Sequence, residues 1–364
     1  MELEYKPDFD KTLKRFEAWW DCQIVDRPPV CMYPHSDRKP KGKAPTPKTY
    51  ATLRDRWMDM EAVVERVTYN MANTTFFADT APIYYPNVGP ELTATVFGAD
   101  LEFGEITSWS KPIAHSIRDV LKLKPNLDNP YWNAIRKGTE LSLQAGKGKW
   151  ITGLPDLHTN GDLPASFRDP QELCMDLADD LEGVRLAVEH VTKFFPMMYE
   201  DIYNRIAAHG LPSTSWSHCL HQGKSYITSC DFICMISEDM FRQTILPSIV
   251  VEMEYLQKNY FHLDGPGALR HLDALLEQPR LNGVQWVYGA GQGPASNWID
   301  VYKRIQAAGK CMQLIAEDWN DAKACLEHLK PQGVWLCIYG GNYSLEEANG
   351  ILKSIERWTA GGKI

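Results

Sequence analysis

Short apolar runs alternate with amphipathic stretches through most of the chain. Eight runs rich in β-branched and aromatic residues predict strands, at residues 28–33, 74–78, 150–154, 212–217, 259–263, 283–287, 311–315 and 334–338. Apolar residues at helical spacing follow most of these runs, at 169–194, 237–258, 267–277, 296–308, 319–329 and 345–358. This alternation is typical of parallel β/α units, and eight strands predict an α/β protein of the (β/α)8 TIM-type barrel class.

Two regions depart from this rhythm. Residues 1–73 predict an N-terminal helical lead-in that includes the first strand, with helices at 9–21 and 50–70 and a basic, proline-rich loop at 36–47. Residues 74–364 are then expected to form the barrel, within a single structural domain overall. The interval 79–149 is too long for one crossover, so it predicts an insertion, with a hairpin or lid around 93–111.

Composition narrows the function classes. The chain of 364 residues has 38 basic and 47 acidic side chains, a net charge of -9 that argues against a nucleic-acid partner. No apolar run approaches the roughly 20 residues that span a bilayer, and the first residues lack the features of a secretion signal. Nine scattered cysteines do not indicate a disulfide framework. We expect a soluble, cytoplasmic protein without a membrane partner.

In a barrel of this kind the active site lies at the C-terminal ends of the strands. Polar or ionisable residues follow nearly every predicted strand, and their density favours an enzyme, with a non-catalytic ligand-binding barrel as the alternative. The residues at these positions include Asp79, Asp156, His158, Asn160, Asp162, His218, Asp231, His262, Asp264, Gln285, Gln292, Glu317 and Cys337.

The sharpest pattern is His262-x-Asp264 together with Cys337. Residues two apart on a strand project to the same face, so His262 and Asp264 can both turn toward the barrel mouth. With the thiolate of Cys337 they make a plausible zinc set with one open position. The alternative is structural, with Cys337 as a small core residue and the other two bonding neighbouring strands.

Three stretches resemble the uroporphyrinogen decarboxylase superfamily, and the resemblance extends over about residues 25–358. Within the superfamily the chain is most similar to a branch labelled trimethylamine-corrinoid-protein-like. The superfamily contains the decarboxylase and the zinc-dependent methyltransferases that move methyl groups between corrinoid proteins and thiols, and it implies a TIM-type barrel. The stretches are Phe76-Phe77-Ala78-Asp79-Thr80-Ala81-Pro82, Cys230-Asp231 leading into Ile236–Phe241 and Pro247, and Phe261-His262-Leu263-Asp264-Gly265.

The decarboxylase branch fits this sequence poorly. Asp79 matches its aspartate after an early strand, but Arg27 alone survives from its arginine-rich N-terminal segment. The stretch 337–341, Cys-Ile-Tyr-Gly-Gly, replaces its Gly-His-Gly. An acidic chain without an arginine clamp is poorly suited to a polyanionic porphyrinogen.

The methyltransferase branch fits better, with one change. His262 matches the histidine of its His-x-Cys-Gly motif, Asp264 replaces the cysteine, and Cys337 matches its last cysteine. A carboxylate in place of sulfur makes the bound metal harder and more Lewis acidic. That change favours an oxygen substrate, an activated water or a different metal over a thiol.

The resemblance thus implies a metal-dependent methyltransferase-like enzyme acting on a small methylated substrate. Zinc or a similar divalent metal would be held by His262, Asp264 and Cys337, and a corrinoid would arrive only on a partner protein, since the chain lacks the Asp-x-His-x-x-Gly cobalamin motif. A homodimer stays an open alternative. A decarboxylase or other acid–base lyase that uses Asp79 and Asp231 without metal is the competing function.

The resemblance also implies roles for the other residues at the strand ends. Asp79, His158 and Asp231 would orient the substrate or act as acid and base. Aromatic side chains would line the pocket, where a cage could bind a methylammonium group, or else belong to the core. The expected substrate contacts are Trp109, Asp156, Trp216, Tyr226, Trp286, Gln292 and Glu317.

Overall fold

A computed structural model describes residues 1–35 and 39–364 of the chain. Its strands are β1 (Val30–Met32), β2 (Phe77–Ala78), β3 (Ile83–Tyr84), β4 (Leu101–Phe103), β5 (Ser108–Ser110), β6 (Ile151–Thr152), β7 (Ser225–Ser229), β8 (Lys258–Asp264), β9 (Gly283–Val287), β10 (Cys311–Ala316) and β11 (Val334–Ile338). Its α-helices are α1 (Phe9–Trp19), α2 (Leu53–Met58), α3 (Met60–Asn73), α4 (Leu92–Val96), α5 (Ile117–Val120), α6 (Pro130–Ala145), α7 (Asp162–Arg168), α8 (Pro170–Asp179), α9 (Leu181–Thr192), α10 (Phe195–Ala207), α11 (Glu238–Met240), α12 (Leu246–Tyr255), α13 (Leu272–Leu276), α14 (Ile299–Ala307), α15 (Trp319–Leu326) and α16 (Leu345–Thr359). Short 3-10 turns cover Asp231–Met235, Pro266–His271 and Ala295–Trp298, and a π-helical turn covers Phe241–Ile245.

The central sheet is mainly parallel. Its strand order is β2-β1-β11-β10-β9-β8-β7, and every neighbouring pair from β1 to β7 is parallel. Strands β7 and β11 are buried along their whole length, as expected for parallel strands enclosed by other elements. Helices separate the parallel strands in the chain, so the predicted α/β class is confirmed.

A small parallel sheet lies apart from the central one. Strand β3 pairs with β6, where the Ile151 amide donates to the Pro82 carbonyl at 2.8 Å. The Leu154 amide then donates to the Thr214 carbonyl at 2.8 Å. In residues 1–35 and 39–364 the central ladder ends at β2 on one side and β7 on the other, without a continuous circuit of paired strands.

One predicted strand is wrong, a second is only partly formed, and the strands β3 and β7 were not predicted. The run 74–78 forms only the two residues of β2, which pair antiparallel with β1. The run 212–217 makes a single isolated bridge, because Pro212 has no amide and the Ser213 backbone bonds that of His221. Strand β7 was not predicted because its sequence is rich in hydroxyl residues. These residues are buried and hydrogen-bonded; the Ser225 hydroxyl, for example, lies 2.7 Å from the Ser213 hydroxyl.

The helices and the insertion largely follow the predicted pattern. The predicted helix 169–194 is divided between α8 and α9 at Asp180, whose side chain accepts from the Gly183 amide and caps α9. The hairpin expected around 93–111 is confirmed as β4–β5. Of the predicted loop 36–47, residues 36–38 lie outside the described residues, and 39–47 contain no helix or strand. No helix in the described part of the chain combines the length and apolar character needed to cross a membrane.

Helix α1 packs against the N-terminal edge of the central sheet. The Trp19 indole nitrogen donates to the carbonyls of Met312, at the start of β10, and Gly333, just before β11, at 3.2 and 3.0 Å. Phe16 meets Trp335 edge-on with ring centroids 5.0 Å apart. Because α1 covers this edge, the C-terminal ends of the strands form the opposite, open edge.

Candidate active site

Three side chains of the metal-ligating type meet at the C-terminal ends of β7 and β8. Asp231, His262 and Asp264 each offer one ligand atom, and these atoms lie within 4.8 Å of one another. Asp264 ends β8, with His262 two residues earlier on the same face, and Asp231 begins the turn after β7. His262 Nε2 lies 3.9 Å from Asp231 Oδ1. We call Asp231, His262 and Asp264 the three-residue cluster.

A row of buried amides fixes the orientation of His262. The Nδ1 atom of His262 is hydrogen-bonded to Gln285 Oε1. Gln285 Nε2 donates to Gln313 Oε1 at 2.6 Å, and Gln313 Nε2 donates to Cys337 Sγ at 3.3 Å. An amide oxygen can only accept, so Nδ1 carries the proton and the lone pair of Nε2 points toward the cluster.

Cys337 lies at the far end of this row rather than within the cluster. It is fully buried in β11 and stands opposite Cys31 of β1 in the strand register. Among the described residues, the group with ligand atoms in mutual reach does not include it. Burial disfavours its thiolate, but hydrogen bonds from three neighbours outweigh burial and lower its pKa; the donors are Cys31, Tyr339 and Gln313.

A second set of charged groups surrounds His158. Its Nε2 lies 3.1 Å from Asp156 Oδ1 and its Nδ1 lies 3.1 Å from Asp162 Oδ2. Burial alone would lower the pKa of His158, but the two carboxylates outweigh it and hold that pKa well above its ordinary value. Asp162 also accepts from the backbone amides of Asp231 at 3.0 Å and Phe232 at 2.9 Å. Asp162 therefore connects His158 to the three-residue cluster.

Asp231 stands at the junction of the two sets. Its side chain is 56% exposed, so solvent weakens the effect of neighbouring charges on it. The partial burial of the carboxyl and the charge of Asp162 nevertheless raise its pKa to about 6. A cavity of about 260 Å³ opens beside it, lined by Pro90, Phe232 and Met235 and by the polar groups of Glu91, His158, Asp162, Ser166 and Asp231. A carboxyl that titrates near neutrality beside a cavity is suited to proton transfer.

Of the predicted pocket aromatics, Trp216 lies at the cluster. Its ring meets His262 edge-on, with centroids 5.1 Å apart. Its indole Nε1 is buried and has no hydrogen-bond partner in the described structure, so it is free to donate to a ligand. Trp109 lies on the β4–β5 hairpin and is 55% exposed.

Two further aromatics are core residues in this structure. Tyr226 is buried in β7, where its hydroxyl donates to the Pro155 carbonyl at 2.8 Å and accepts from the Leu157 amide at 2.7 Å. Trp286 is buried in β9 and packs on Trp298, with centroids 5.2 Å apart. Tyr226 thus holds the backbone immediately before His158.

Gln292 and Glu317 lie in loops that follow β9 and β10, and both are exposed. The Gln292 carbonyl accepts from Trp298 Nε1 at 3.0 Å, and the Glu317 amide donates to Asp321 Oδ2 at 2.9 Å. Glu317 is not part of the ligand group that the described residues form. Their predicted contacts with a substrate therefore stay predictions.

Asp79 lies at the opposite edge of β1 from the cluster. The run 74–78 predicts a parallel strand, but β2 runs antiparallel to β1, so the residue that follows it reaches the N-terminal end of β1. There Asp79 accepts from the Val30 amide at 2.9 Å, Arg15 Nη1 at 2.8 Å, Thr12 at 3.2 Å and Arg27. With every acceptor engaged at the far edge, its position does not support shared chemistry with Asp231.

Four residues at or behind the site had no predicted role, namely Asp162, Gln285, Gln313 and Glu252. Asp162 and Gln285 are among the polar residues at the predicted strand ends, without a role of their own. Gln313 repeats, in β10, the central position that Gln285 holds in β9, and a polar residue at the middle of two consecutive buried strands was the available signal. Glu252 interrupts the apolar face of α12 beside Ile249 and Met253, a charge at a core position.

Comparisons with known proteins concern the fold. No family model matches the chain, and no curated protein is similar to it in sequence. A solved structure of a methyltransferase from Methanosarcina mazei matches with a TM-score of 0.57 and 10% sequence identity, covering 95% of this chain and 98% of that chain. At this identity the similarity shows a shared α/β fold.

Proposed function

We propose that the chain is a metal-dependent methyltransferase-like enzyme that acts on a small methylated substrate at the C-terminal edge of its sheet. The observation that carries the proposal is the convergence of Asp231, His262 and Asp264 to within 4.8 Å. The shared fold with a methyltransferase supports the reaction class.

We also propose that the sheet closes into a barrel, with segments 82–85, 151–154 and 213–214 between β2 and β7. The hydrogen bonds from the Gly153 amide to the Tyr84 carbonyl and from the Leu154 amide to the Thr214 carbonyl support this closure.

The donor set of the cluster fits a divalent metal. Nε2 of His262 is left free because Nδ1 is bonded to Gln285, the arrangement that orients metal-binding histidines in proteins. Two carboxylates complete a nitrogen–oxygen set that suits zinc and harder first-row ions. Cys337 is the third ligand expected from the sequence, and we propose Asp231 in its place.

The residues of this chain would bind and orient the substrate beside the ion. A divalent ion held there would supply Lewis acidity to a substrate oxygen or sulfur. The pair of His158 and Asp162 would hold a proton at the imidazole, close to the cavity, while Asp162 fixes the backbone of Asp231. Trp216 would exclude water from one side of His262 and offer its unpaired N–H to the substrate.

The methyl group would pass to or from a corrinoid on a partner protein. The resemblance of the strand-end motifs to corrinoid-dependent methyltransferases supports this part of the proposal. Free methylcobalamin can replace the partner in a first assay, with small thiols and hydroxy compounds as acceptors. Loss of the methylcobalamin absorbance with one methylated product per cobalamin consumed is expected, and no product with any acceptor would count against methyl transfer.

Metal content tests the carrying observation directly. Elemental analysis of the zinc-loaded chain is expected to give one ion per chain, lost in His262→Ala and Asp264→Asn. Cys337→Ala is expected to keep the ion, which separates this proposal from the ligand set predicted from the sequence. Asp239→Asn, an exposed carboxylate that follows the same turn as Asp231, is the matched control and should also keep the ion. Retention of the ion by His262→Ala would refute the site.

An acid–base lyase is the second candidate function. It is favoured by one observation, that Asp231 and His158 line the same cavity, where burial and the charge of Asp162 raise the pKa of Asp231 to about 6. Turnover of a carboxylated substrate that survives exhaustive chelation and is lost in Asp231→Asn would support this candidate. Loss of turnover on chelation would support the metal-dependent proposal instead.

A further inference from the structure

A carboxyl group is buried directly behind the site. Glu252 of α12 is 2% exposed. Asn160 Nδ2 donates to its Oε2 at 3.0 Å and its Oε1 at 3.2 Å, and the Thr159 hydroxyl is hydrogen-bonded to Oε1. None of the described lysines or arginines contacts it. A buried carboxylate with only neutral partners is costly, so the group is expected to keep its proton, which Oε1 can donate to the Thr159 hydroxyl oxygen.

The two partners of Glu252 connect the residues of the His158 set. The chain runs from His158 through Thr159 and Asn160 to Gly161 and Asp162. Asn160 adopts a left-handed conformation with φ of 45°, which costs free energy unless its surroundings hold it. A Cβ at Gly161 would lie 2.7 Å from Ile245 and 2.8 Å from Cys230, so the turn is also closely packed.

The turn is held from two sides. Asn160 Nδ2 donates to the Ser229 carbonyl at the end of β7 at 3.0 Å as well as to Glu252. Its Oδ1 accepts from the Gly161 amide at 2.6 Å. Asn160 therefore links α12 to the strand that leads into Asp231, and the anchor on the helix side is Glu252.

We infer that Glu252 is a positioning residue: as a neutral carboxylic acid it holds the Thr159–Asn160 turn and through it sets the arrangement of His158 and Asp162. The inference depends on the proposed function only in treating those two residues as part of the site. Burial and, to a smaller extent, the charge of Asp162 raise the pKa of Glu252 to about 8, against the hydrogen bonds with Thr159 and Asn160. Ionisation of Glu252 would place a second negative charge beside Asp162 and strengthen the attraction for His158.

Other titratable groups near Glu252 are engaged elsewhere. The charges that act on it are those of Asp162 and His158. Strand β7, packed against α12, carries Tyr226, which is bonded to Pro155. On the neighbouring α9 and π-helical turn, the charged groups pair with one another or with the backbone; these are Glu182, Arg185, Glu189 and His190, and Arg242 with Glu238 and Glu277.

Nuclear magnetic resonance of the metal-free full chain tests the inference without any substrate. The glutamate carboxyl carbons, the Asn160 side-chain amide and the His158 imidazole are followed from pH 6 to pH 10. In the wild type we expect all three sites to report one step near pH 8. In Glu252→Gln, which mimics the neutral acid, this step should be absent, the Asn160 signal should stay at its low-pH position, and the His158 signal should change only with the protonation of His158 itself. Glu254→Gln, exposed on the same helix, should retain the step.

Each outcome decides the inference. A Glu252 carboxyl that titrates at its ordinary pKa in the wild type would overturn it, and this measurement needs no variant to fold. A step at Glu252 that His158 does not follow would make Glu252 a purely structural residue and would also overturn it. Since no metal or substrate is present, either failure leaves the proposed function untouched.

Discussion

Two buried carboxylates at opposite edges of the sheet are neutralised in different ways. Asp79, at the N-terminal edge, is 0% exposed and is bonded by Arg15 and Arg27. Asp162, at the C-terminal edge, is 10% exposed and faces the imidazole of His158, which it shares with Asp156. Guanidinium groups stay charged at all accessible pH values, whereas an imidazole titrates.

The difference indicates that Asp79 belongs to a structural ion cluster, whereas Asp162 belongs to the candidate active site. At Asp79 the permanent cations of Arg15 and Arg27 meet the carboxylates of Asp79 and Asp26, so the charges are balanced and the site holds α1 and β1 together. At Asp162 the carboxylates outnumber the cation, and burial raises the pKa of nearby Asp231 to about 6. The carboxylate at the covered edge is therefore held by fixed charges, whereas the carboxylates at the open edge surround a group that can change charge.

Removing the anion at the covered edge should have the largest effect. Asp79→Asn leaves Arg27 buried without a counter-charge and leaves Arg15 with Asp26 as its only carboxylate. Loss of one partner of a buried ion pair costs about 3–5 kcal/mol. Urea unfolding of the metal-free chain measures this loss. Asp10→Asn, which breaks an exposed ion pair with the N-terminus, should cost less than about 1 kcal/mol. Similar losses in both variants would contradict the structural role of Asp79.

The corresponding change at the open edge should act on metal binding. Asp162→Asn weakens the acceptor that fixes the Asp231 backbone, and loss of such supporting contacts lowers metal affinity about 10–100-fold. Calorimetric titration with zinc gives the affinity. Asp176→Asn, a carboxylate paired with Arg168 away from the cluster, should bind zinc like the wild type. If zinc affinity is unchanged in Asp162→Asn, Asp162 does not support the cluster.

Stability should also depend on pH through Glu252, which is buried behind the C-terminal edge of the sheet. The pKa of Glu252 is raised to about 8 in the folded chain, against about 4.3 when unfolded. The folded state therefore binds the extra proton between these values, and stability should fall as pH rises through that window, by at most about 1.4 kcal/mol per pH unit. Urea unfolding at several pH values should show this slope in the wild type and a shallower one in Glu252→Gln. Equal slopes would show that Glu252 is ionised in both states.

The smallest effect is expected on the insertion hairpin. Trp109 is 55% exposed, and truncation of an exposed side chain away from special features changes stability by about 0.5 kcal/mol or less. Trp109→Ala should therefore unfold like the wild type in urea. A loss well above 1 kcal/mol would show that the hairpin packs more tightly than its exposure indicates.

Much of the fold was predictable because parallel strands and their helices carry regular patterns. The runs that became β8 to β11 consist mainly of apolar and aromatic residues, so their positions were predicted within one residue at each end. The pattern failed in β7, where buried hydroxyl groups form hydrogen bonds with one another and replace apolar residues. It also failed at 212–217, where a run with a strand-like composition forms only one isolated bridge.

The site was predictable only in its local part. The spacing of His262 and Asp264 placed both on one face of a strand, and the structure brings them together. The third member depends on the direction and length of other strands, which the sequence does not state. The predicted ligand set therefore contained Cys337 instead of Asp231. Asp79 was predicted at the C-terminal edge of the sheet, but the antiparallel direction of β2 places it at the N-terminal edge.

X-ray absorption at the zinc edge tests the metal assignment most directly. For the zinc-loaded chain we predict only nitrogen and oxygen neighbours at about 2.0–2.2 Å, with the outer-shell signature of one imidazole. The spectrum should be unchanged in Cys337→Ala and should lose the imidazole signature in His262→Ala. A sulfur neighbour at about 2.3 Å would contradict the assignment of Asp231, His262 and Asp264 as the ligands.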